Sequence, residues 1–139
     1  MSSFPSQAWL ADLQSKLNSD ERYHKIAKNW EGDMLFVVEP DKSLTLQVVA
    51  YLDLWHGKCR DAYILDDGIK KTASFILKAP YSNFFKVLTG EYEPMQALLT
   101  RKLGVQGSMA VLMKNVPTVL DFVRCCREVT TQSEFQREK

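Results

Sequence analysis

The sequence has little of what metal centres and many catalytic sites require. It contains two histidines, His24 and His56, and three cysteines. It has no HxH, HExxH or CxxC pattern, which disfavours a dedicated metal site, and neither a GxSxG motif nor a Walker loop is present. The cysteines, Cys59 and the adjacent pair Cys125 and Cys126, lack the spacing of a disulfide framework. We therefore expect free thiols in a reducing compartment.

The chain also lacks a charge excess and a long apolar run. Its 18 basic and 17 acidic residues leave a net charge of +1, so there is no basic surplus to neutralise phosphates, and nucleic-acid binding is disfavoured. No window reaches the roughly 18 consecutive apolar residues of a membrane span. The first residues show no charged start followed by an apolar run, so no signal peptide is expected. These absences predict a cytoplasmic protein without a nucleic-acid partner and with at most transient membrane contact.

The length and the periodicities predict one α+β domain over residues 1–129, followed by a polar C-terminal tail over residues 130–139. Its 139 residues are enough to bury about two thirds of the unfolded surface without a metal or disulfide. The architecture expected is an antiparallel meander with helices covering one face. Helical spacing predicts helices at 7–17, 23–30, 82–89, 94–101 and from Ser108 onward, the last interrupted by Pro117. Alternating apolar residues predict strands at 34–39, 44–55, 59–65, 71–79 and 103–107.

Local motifs inside this pattern have simple structural interpretations. His56 and the following glycine predict a two-residue hairpin turn, which would place Asp53 opposite Arg60 as a favourable cross-strand pair. Asp66 and Asp67 precede a glycine, which indicates a turn rather than a catalytic acid pair. The GxxG at 104–107 indicates a strand end or bulge rather than a nucleic-acid clamp.

Two further features are interpreted as structural. Both histidines are expected to be ordinary surface residues. Cys125 and Cys126 are adjacent on a predicted helix, where disulfide geometry is unfavourable, so core thiols are preferred over a redox switch.

The most informative stretch is 79–129, which places many large apolar residues on short elements. Three of the five methionines, Met95, Met109 and Met113, lie here, and methionine adapts to variable neighbours. Such a stripe is usually core packing; the alternative is the wall of an apolar cavity, because short broken helices leave gaps. The candidate wall residues are Phe75, Leu77, Phe84, Leu88, Met95, Leu98, Leu99, Met109, Leu112, Met113, Val116 and Leu120.

The order of motifs in this stretch resembles the sterol carrier protein type 2 family. The motifs that carry the resemblance are Ala79-Pro80-Tyr81 before a helix with Phe84 and Phe85, Leu88-Thr89-Gly90, Glu93-Pro94-Met95, Leu98-Leu99-Thr100 running into Lys102-Leu103, and Gly107 before an apolar helix. With the upstream elements, the similarity covers residues 7–128. The chain departs from the family at Arg101, where a glycine is frequent, and at Ser108, where an acidic or amide residue is frequent.

The resemblance implies a five-stranded, mostly antiparallel sheet with helices over one face, enclosing an apolar tunnel. It implies non-catalytic, non-covalent binding and transfer of a fatty acyl chain, an acyl-CoA or a sterol, with no cofactor and no catalytic residue. Tyr81, Lys86 or Arg101 could then meet a ligand headgroup. The peroxisomal members end in a targeting tripeptide that the final three residues, 137–139, do not match.

Two other functions remain open from the sequence. The same fold could serve as a structural or regulatory module that dimerises or docks onto an enzyme, with its core filled by side chains. An enzyme acting on a small apolar substrate would need a general acid or base, for which Tyr81 or Asp121 are the candidates. The sequence leaves the oligomeric state open between monomer and homodimer.

Overall fold

The computed structural model describes the backbone of residues 4–138 and the side chains of residues 4–130. Within these residues, two helices come first, then four strands, then two short helices, a fifth strand, a further short helix and one long helix. The strands are β1 (Met34–Glu39), β2 (Val48–Trp55), β3 (Lys58–Ile64), β4 (Phe75–Pro80) and β5 (Gly104–Gln106). The helices are α1 (Gln7–Ser19), α2 (Glu21–Ile26), α3 (Tyr81–Leu88), α4 (Pro94–Leu99), α5 (Met109–Lys114) and α6 (Val116–Glu138).

The first two helices begin at side-chain caps. Ser6 Oγ accepts a hydrogen bond from the backbone N–H of Trp9 at 3.1 Å and caps α1. Asp20 Oδ1 accepts from the N–H of Tyr23 at 2.9 Å and caps α2. Each bond satisfies a donor that the first helical turn leaves free. The helix predicted over 7–17 is confirmed, and it continues to Ser19.

The five strands form one mixed sheet in the order β3-β2-β1-β4-β5. Pairing is antiparallel except between β1 and β4, which are parallel. The predicted α+β fold with a mostly antiparallel sheet is confirmed, but the prediction of a simple meander was wrong for β4. Because β3 and β4 run in the same direction, the chain must cross the sheet between them. Residues 65–74 make this crossing, and Lys71 Nζ lies 4.2 Å from the ring centroid of Tyr51 on the face away from the helices.

The β2–β3 hairpin turns at His56 and Gly57, whose positive φ values of 51° and 79° confirm the predicted two-residue turn. A register shift follows Asp53, so that Asp61 rather than Arg60 is its Cα partner. The expected ion pair still forms, because Arg60 Nη2 and Nε reach the Asp53 carboxylate at 3.0 and 3.1 Å.

The core lies between the sheet and the helices. Met34, Phe36 and Val38 of β1 are buried on this side. α1 packs against β3 and α6, and the indole N–H of Trp9 donates to Thr130 Oγ1 at 3.0 Å. The predicted interruption near Pro117 is confirmed, since α5 ends at Lys114 and α6 starts at Val116.

The structure differs in part from the predictions for the C-terminal tail and for the two histidines. α6 runs to Glu138, so the backbone of the segment predicted as a tail is helical up to that point; residue 139 lies outside the described residues. His24 is half-buried rather than a free surface residue, and its Nε2 is buried without a hydrogen-bond partner among the described residues. His56 is exposed as expected, with Nε2 2.6 Å from Glu31 Oε2.

Candidate functional site

An apolar cavity lies between the inner face of the sheet and the helices. Its volume is about 80 Å³, measured as the space open to the centre of a water molecule, and one water needs about 10–15 Å³ on that measure. The surface that lines it is entirely apolar. The sheet and loops contribute Phe4, Trp30, Met34, Phe36, Leu54, Phe75, Leu77, Leu103 and Val105. The helices contribute Tyr23, Phe84, Val87, Leu88, Pro94, Leu98, Leu112, Thr118, Val119, Phe122, Val123 and Cys126.

Half of the twelve candidate wall residues lie at this cavity. The six that line it are Phe75, Leu77, Phe84, Leu88, Leu98 and Leu112. The six that do not line it are Met95, Leu99, Met109, Met113, Val116 and Leu120. Of these six, Leu99, Met113 and Leu120 are exposed, because neighbouring residues differ by about 100° around a helix axis. Leu99 is consequently 61% exposed, although Leu98 before it is buried. Met95 and Met109 are partly buried and pack against the core, and contact of the six with a lipid stays a prediction.

Several residues that line the cavity were absent from the predicted wall, although their spacing in the sequence was informative. On α6, the wall is formed by Val119, Phe122, Val123 and Cys126, whose spacing of i, i+3, i+4 and i+7 is that of one helical face. The predicted stripe of Val116, Leu120 and Val123 shares Val123 with this face, whereas Leu120 lies one position, about 100°, from Val119. On β1, Met34 and Phe36 share the period-two face that was already predicted, but nothing local indicated that this face borders a cavity.

The wall includes the hydroxyl or thiol side chains of Tyr23, Thr118 and Cys126. The hydroxyl of Thr118 donates to the backbone carbonyl of Ile26 at 3.2 Å. Burial raises the pKa of the Tyr23 phenol and of the Cys126 thiol above their usual values, so both groups stay protonated and the thiol is a poor nucleophile. Tyr81 and Asp121, the candidate acids or bases, are not part of the wall.

The remaining cationic candidates for headgroup contact lie outside the wall. Lys86 is half-buried, with Nζ 5.3 Å from the ring centroid of Tyr92. Arg101 is exposed and adopts a positive φ of 63° directly after α4. Neither cation lies in the apolar lining of the cavity.

Gly107, directly after β5, leaves no space for a side chain beside the wall residue Phe75. Its φ is 131°, and a Cβ there would stand 2.6 Å from the backbone oxygen of Ser74 and 2.7 Å from Cδ1 of Phe75. Gly90 also has a positive φ, 89°, but a Cβ there would meet no atom within 4 Å. Substitution by alanine would strain the backbone at both glycines. Only at Gly107 would the new Cβ also lack space.

We expect Gly107→Ala to lower the free energy of unfolding by about 2 kcal/mol more than Gly90→Ala, because strain costs about 1–3 kcal/mol at either site and overpacking is added only at Gly107. Urea denaturation of the two variants checks this difference. Equal destabilisation by the two substitutions would show that Phe75 and Ser74 move aside without cost.

A second cluster of ionisable groups joins α1, α2 and α6 away from the cavity. Arg124 contacts Asp20 and Glu128 at 2.7 Å and Asp121 at 2.8 Å, and Lys16 reaches Glu128 at 2.7 Å. The hydrogen bond from Arg124 holds the pKa of Asp20 well below its usual value, and Lys16 lowers the pKa of Glu128. Asp20, Asp121 and Cys125 approach one another within 4.8 Å. The two aspartates already pair with Arg124, and Lys16 and Arg22 lie 3.2 Å from Asp20 and Asp121 respectively, so the cluster is an ion-pair network.

The fold and the cavity define an α+β domain that encloses an apolar space between one sheet face and a layer of helices. Residues 10–119 match the family model described as the SCP-2 sterol transfer family. The chain therefore belongs to the SCP-2 sterol transfer family. Among the described residues, no helix has the length and apolar character needed to cross a membrane.

Solved structures share this fold. A crystal structure of sterol carrier protein 2 is 33% identical, with a TM-score of 0.80, and the match covers 88% of this chain and 96% of that one. A solution structure of a Thermus thermophilus protein, described as possibly sterol carrier protein, is 34% identical, with a TM-score of 0.82 and 92% of both chains covered. Sterol Carrier Protein-2 of Aedes aegypti, in complex with the C16 fatty acid palmitate, is 18% identical, with a TM-score of 0.54 and 84% of this chain and 92% of that chain covered. A search of curated proteins gave no significant match.

Proposed function

We propose that this protein is a non-catalytic carrier that binds a lipid in the cavity and transfers it. The observation that carries the proposal is a cavity whose lining is wholly apolar and is shared by the sheet and the short or broken helical segments that face it. Family membership and the palmitate complex of the Aedes aegypti protein support it. The proposed carrier is a single domain over residues 1–129 that acts in the cytoplasm.

An apolar cavity of this kind selects ligands by apolar area and shape. Each buried methylene contributes about 0.8 kcal/mol, so a long acyl chain binds well without hydrogen bonds inside the cavity. The wall offers no charged side chain for a carboxylate or phosphate, so the polar end of the ligand is expected to stay at the surface, where Lys86 or Arg101 can meet it. Fatty acids, acyl-CoA and sterols all satisfy this requirement.

Mass spectrometry of the purified protein, first native and then after organic extraction, tests the proposal. We expect a co-purified acyl lipid or sterol at near-stoichiometric amount, or uptake of added palmitate by an empty protein. An empty protein that takes up neither palmitate nor a sterol would contradict the carrier function and favour the interaction module with a filled core.

A further inference from the structure

The apolar cavity is small compared with the longer ligands of the class proposed for it. Its volume of about 80 Å³ has room for at most about five to eight water molecules, at 10–15 Å³ each. A methylene group is about as large as a water molecule, so palmitate, with its 16 carbon atoms, exceeds this space. To enclose an acyl chain of that length, one of the elements around the cavity has to move outward.

The α3–α4 hairpin, defined as residues 81–99, is the part of the wall best placed to move. The strands are held to one another by backbone hydrogen bonds across the sheet. α6 is joined to α1 and α2 by the ion pairs of the Arg124 network. The hairpin supplies five wall residues: Phe84, Val87, Leu88, Pro94 and Leu98. Its outward displacement would therefore enlarge the cavity without breaking the sheet or the helix network.

Arg127 on α6 fastens the turn of this hairpin. Its Nε donates to the carbonyl oxygen of Val87 at 2.8 Å, and its Nη2 donates to that of Tyr92 at 3.0 Å. Val87 lies in the last turn of α3, where carbonyls lack partners within the helix and a positive charge is favourable. Among the described residues, the hydrogen bonds that reach residues 84–93 from outside the hairpin both come from Arg127.

The guanidinium of Arg127 is committed to these two carbonyls. It forms no ion pair with a carboxylate among the residues whose side chains are described, whereas Arg124, three residues earlier, pairs with three of them. Arg127 is half-buried, and hydrogen bonds from a charged donor are stronger than those between neutral groups. It also lies four residues after the wall residue Val123, on the same side of α6. The restraint thus acts at the edge of the cavity wall.

The start of the hairpin is attached to other parts of the protein. Asp41 Oδ2 accepts a hydrogen bond from the backbone N–H of Ser82 at 2.7 Å, and Asn83 Nδ2 donates to the carbonyl oxygen of Lys102 at 2.9 Å. Both contacts lie in the first turn of α3. If the two bonds of Arg127 break while these contacts remain, the turn can move away from α6 while the start of α3 stays in place.

We propose that Arg127 limits the chain length of the bound lipid by restraining the α3–α4 hairpin against α6. In the empty protein, its two hydrogen bonds keep the hairpin over a small cavity. A chain that fits this cavity leaves the bonds intact, whereas a longer chain displaces the hairpin and breaks them. Arg127 is accordingly a positioning residue, and this role rests on the proposed carrier function.

Isothermal titration calorimetry of delipidated protein with octanoate and palmitate tests the role of Arg127. Arg127→Met keeps much of the apolar stem and removes both donors. It is expected to bind palmitate about tenfold or more tightly than the wild type, since the bonds that a long chain must break are already absent. Octanoate, whose chain is short enough for the closed cavity, is expected to bind both proteins equally. Arg127→Lys keeps the charge without the forked donor geometry, and its palmitate affinity is expected to lie between the two.

Arg124→Met is the matched control. It lies on the same helix, and its ion pairs go to Asp20, Asp121 and Glu128, which are outside the hairpin. It is expected to leave the ratio of the palmitate and octanoate affinities unchanged, although it lowers stability. A loss of stability alone therefore does not reproduce the effect expected for Arg127→Met. Far-ultraviolet circular dichroism verifies that the variants are folded, and Arg127→Lys carries the test if Arg127→Met is not.

Three outcomes would overturn the proposal. These are equal palmitate affinity in the wild type and the Arg127 variants, an equal gain in affinity for octanoate and palmitate, and the same gain for palmitate in Arg124→Met. Failure of the carrier function gives a different result, in which neither fatty acid binds to any of the proteins. That result would refute the role of Arg127 together with the carrier function, whereas the first three leave the carrier function standing.

Discussion

Replacing Arg124 by methionine is expected to lower the free energy of unfolding by about 3 kcal/mol. Arg124 Nη2 contacts Asp20 at 2.7 Å and Nε contacts Asp121 at 2.8 Å, and the Asp121 side chain is only 2% exposed. Methionine preserves most of the apolar stem but leaves a buried carboxylate whose remaining partner, Arg22, is 68% exposed. An uncompensated buried charge costs more than the ion pair itself contributes.

The control for this prediction is Arg60→Met. Arg60 also pairs with an aspartate, Asp53 at 3.0 Å, but its side chain is 53% exposed, and pairs of this kind contribute up to about 1 kcal/mol. Chemical denaturation of both variants gives the comparison. Similar losses in the two variants would show that the Arg124 network is energetically an ordinary surface network.

A tryptophan at Leu98 is expected to reduce lipid occupancy by about tenfold or more. Leu98 lines the cavity, and the larger side chain takes space from the ligand. Loss of room for two methylenes weakens binding by about 1.6 kcal/mol, which corresponds to more than tenfold. Native mass spectrometry after equilibration with limiting palmitate measures the occupancy.

The adjacent residue provides the matched control. Leu99→Trp is expected to leave occupancy unchanged, because Leu99 is 61% exposed on the outer side of the same helix. If Leu98→Trp unfolds, Val123→Phe offers a smaller intrusion from a half-buried wall position on α6. Full occupancy in a folded Leu98→Trp or Val123→Phe variant would place the ligand elsewhere on the protein.

Many of the local elements could be predicted because their causes lie within a few residues of one another. Ser6 caps α1 through the N–H three residues downstream, the hairpin turns at His56 and Gly57 as the dipeptide predicts, and Ser108 caps α5 through the N–H of Val111 at 3.2 Å. Pro94 begins α4 as expected for a residue without a free N–H. Each feature depends on backbone sterics or on one short hydrogen bond.

The candidate site was predictable only in part. Periodicity showed that Phe84, Leu88 and Leu98 belong to apolar faces, and all three line the cavity. It did not distinguish an inward face from an apolar outward one, so Leu99 and Leu120 were included in the predicted wall. Where both sides of a helix are apolar, hydrophobic spacing alone does not give the direction of the core.

The sequence by itself determined the α+β composition, the main turns and caps, and the stretch of chain that contains the apolar wall, because short-range sterics and periodicity decide them. Only the tertiary structure decided that β4 lies parallel to β1 and that Asp20 meets Arg124. It also decided that sheet and helices share one cavity. These arrangements join residues far apart in the chain. The local sequence does not indicate which distant surface a strand or a helix face packs against.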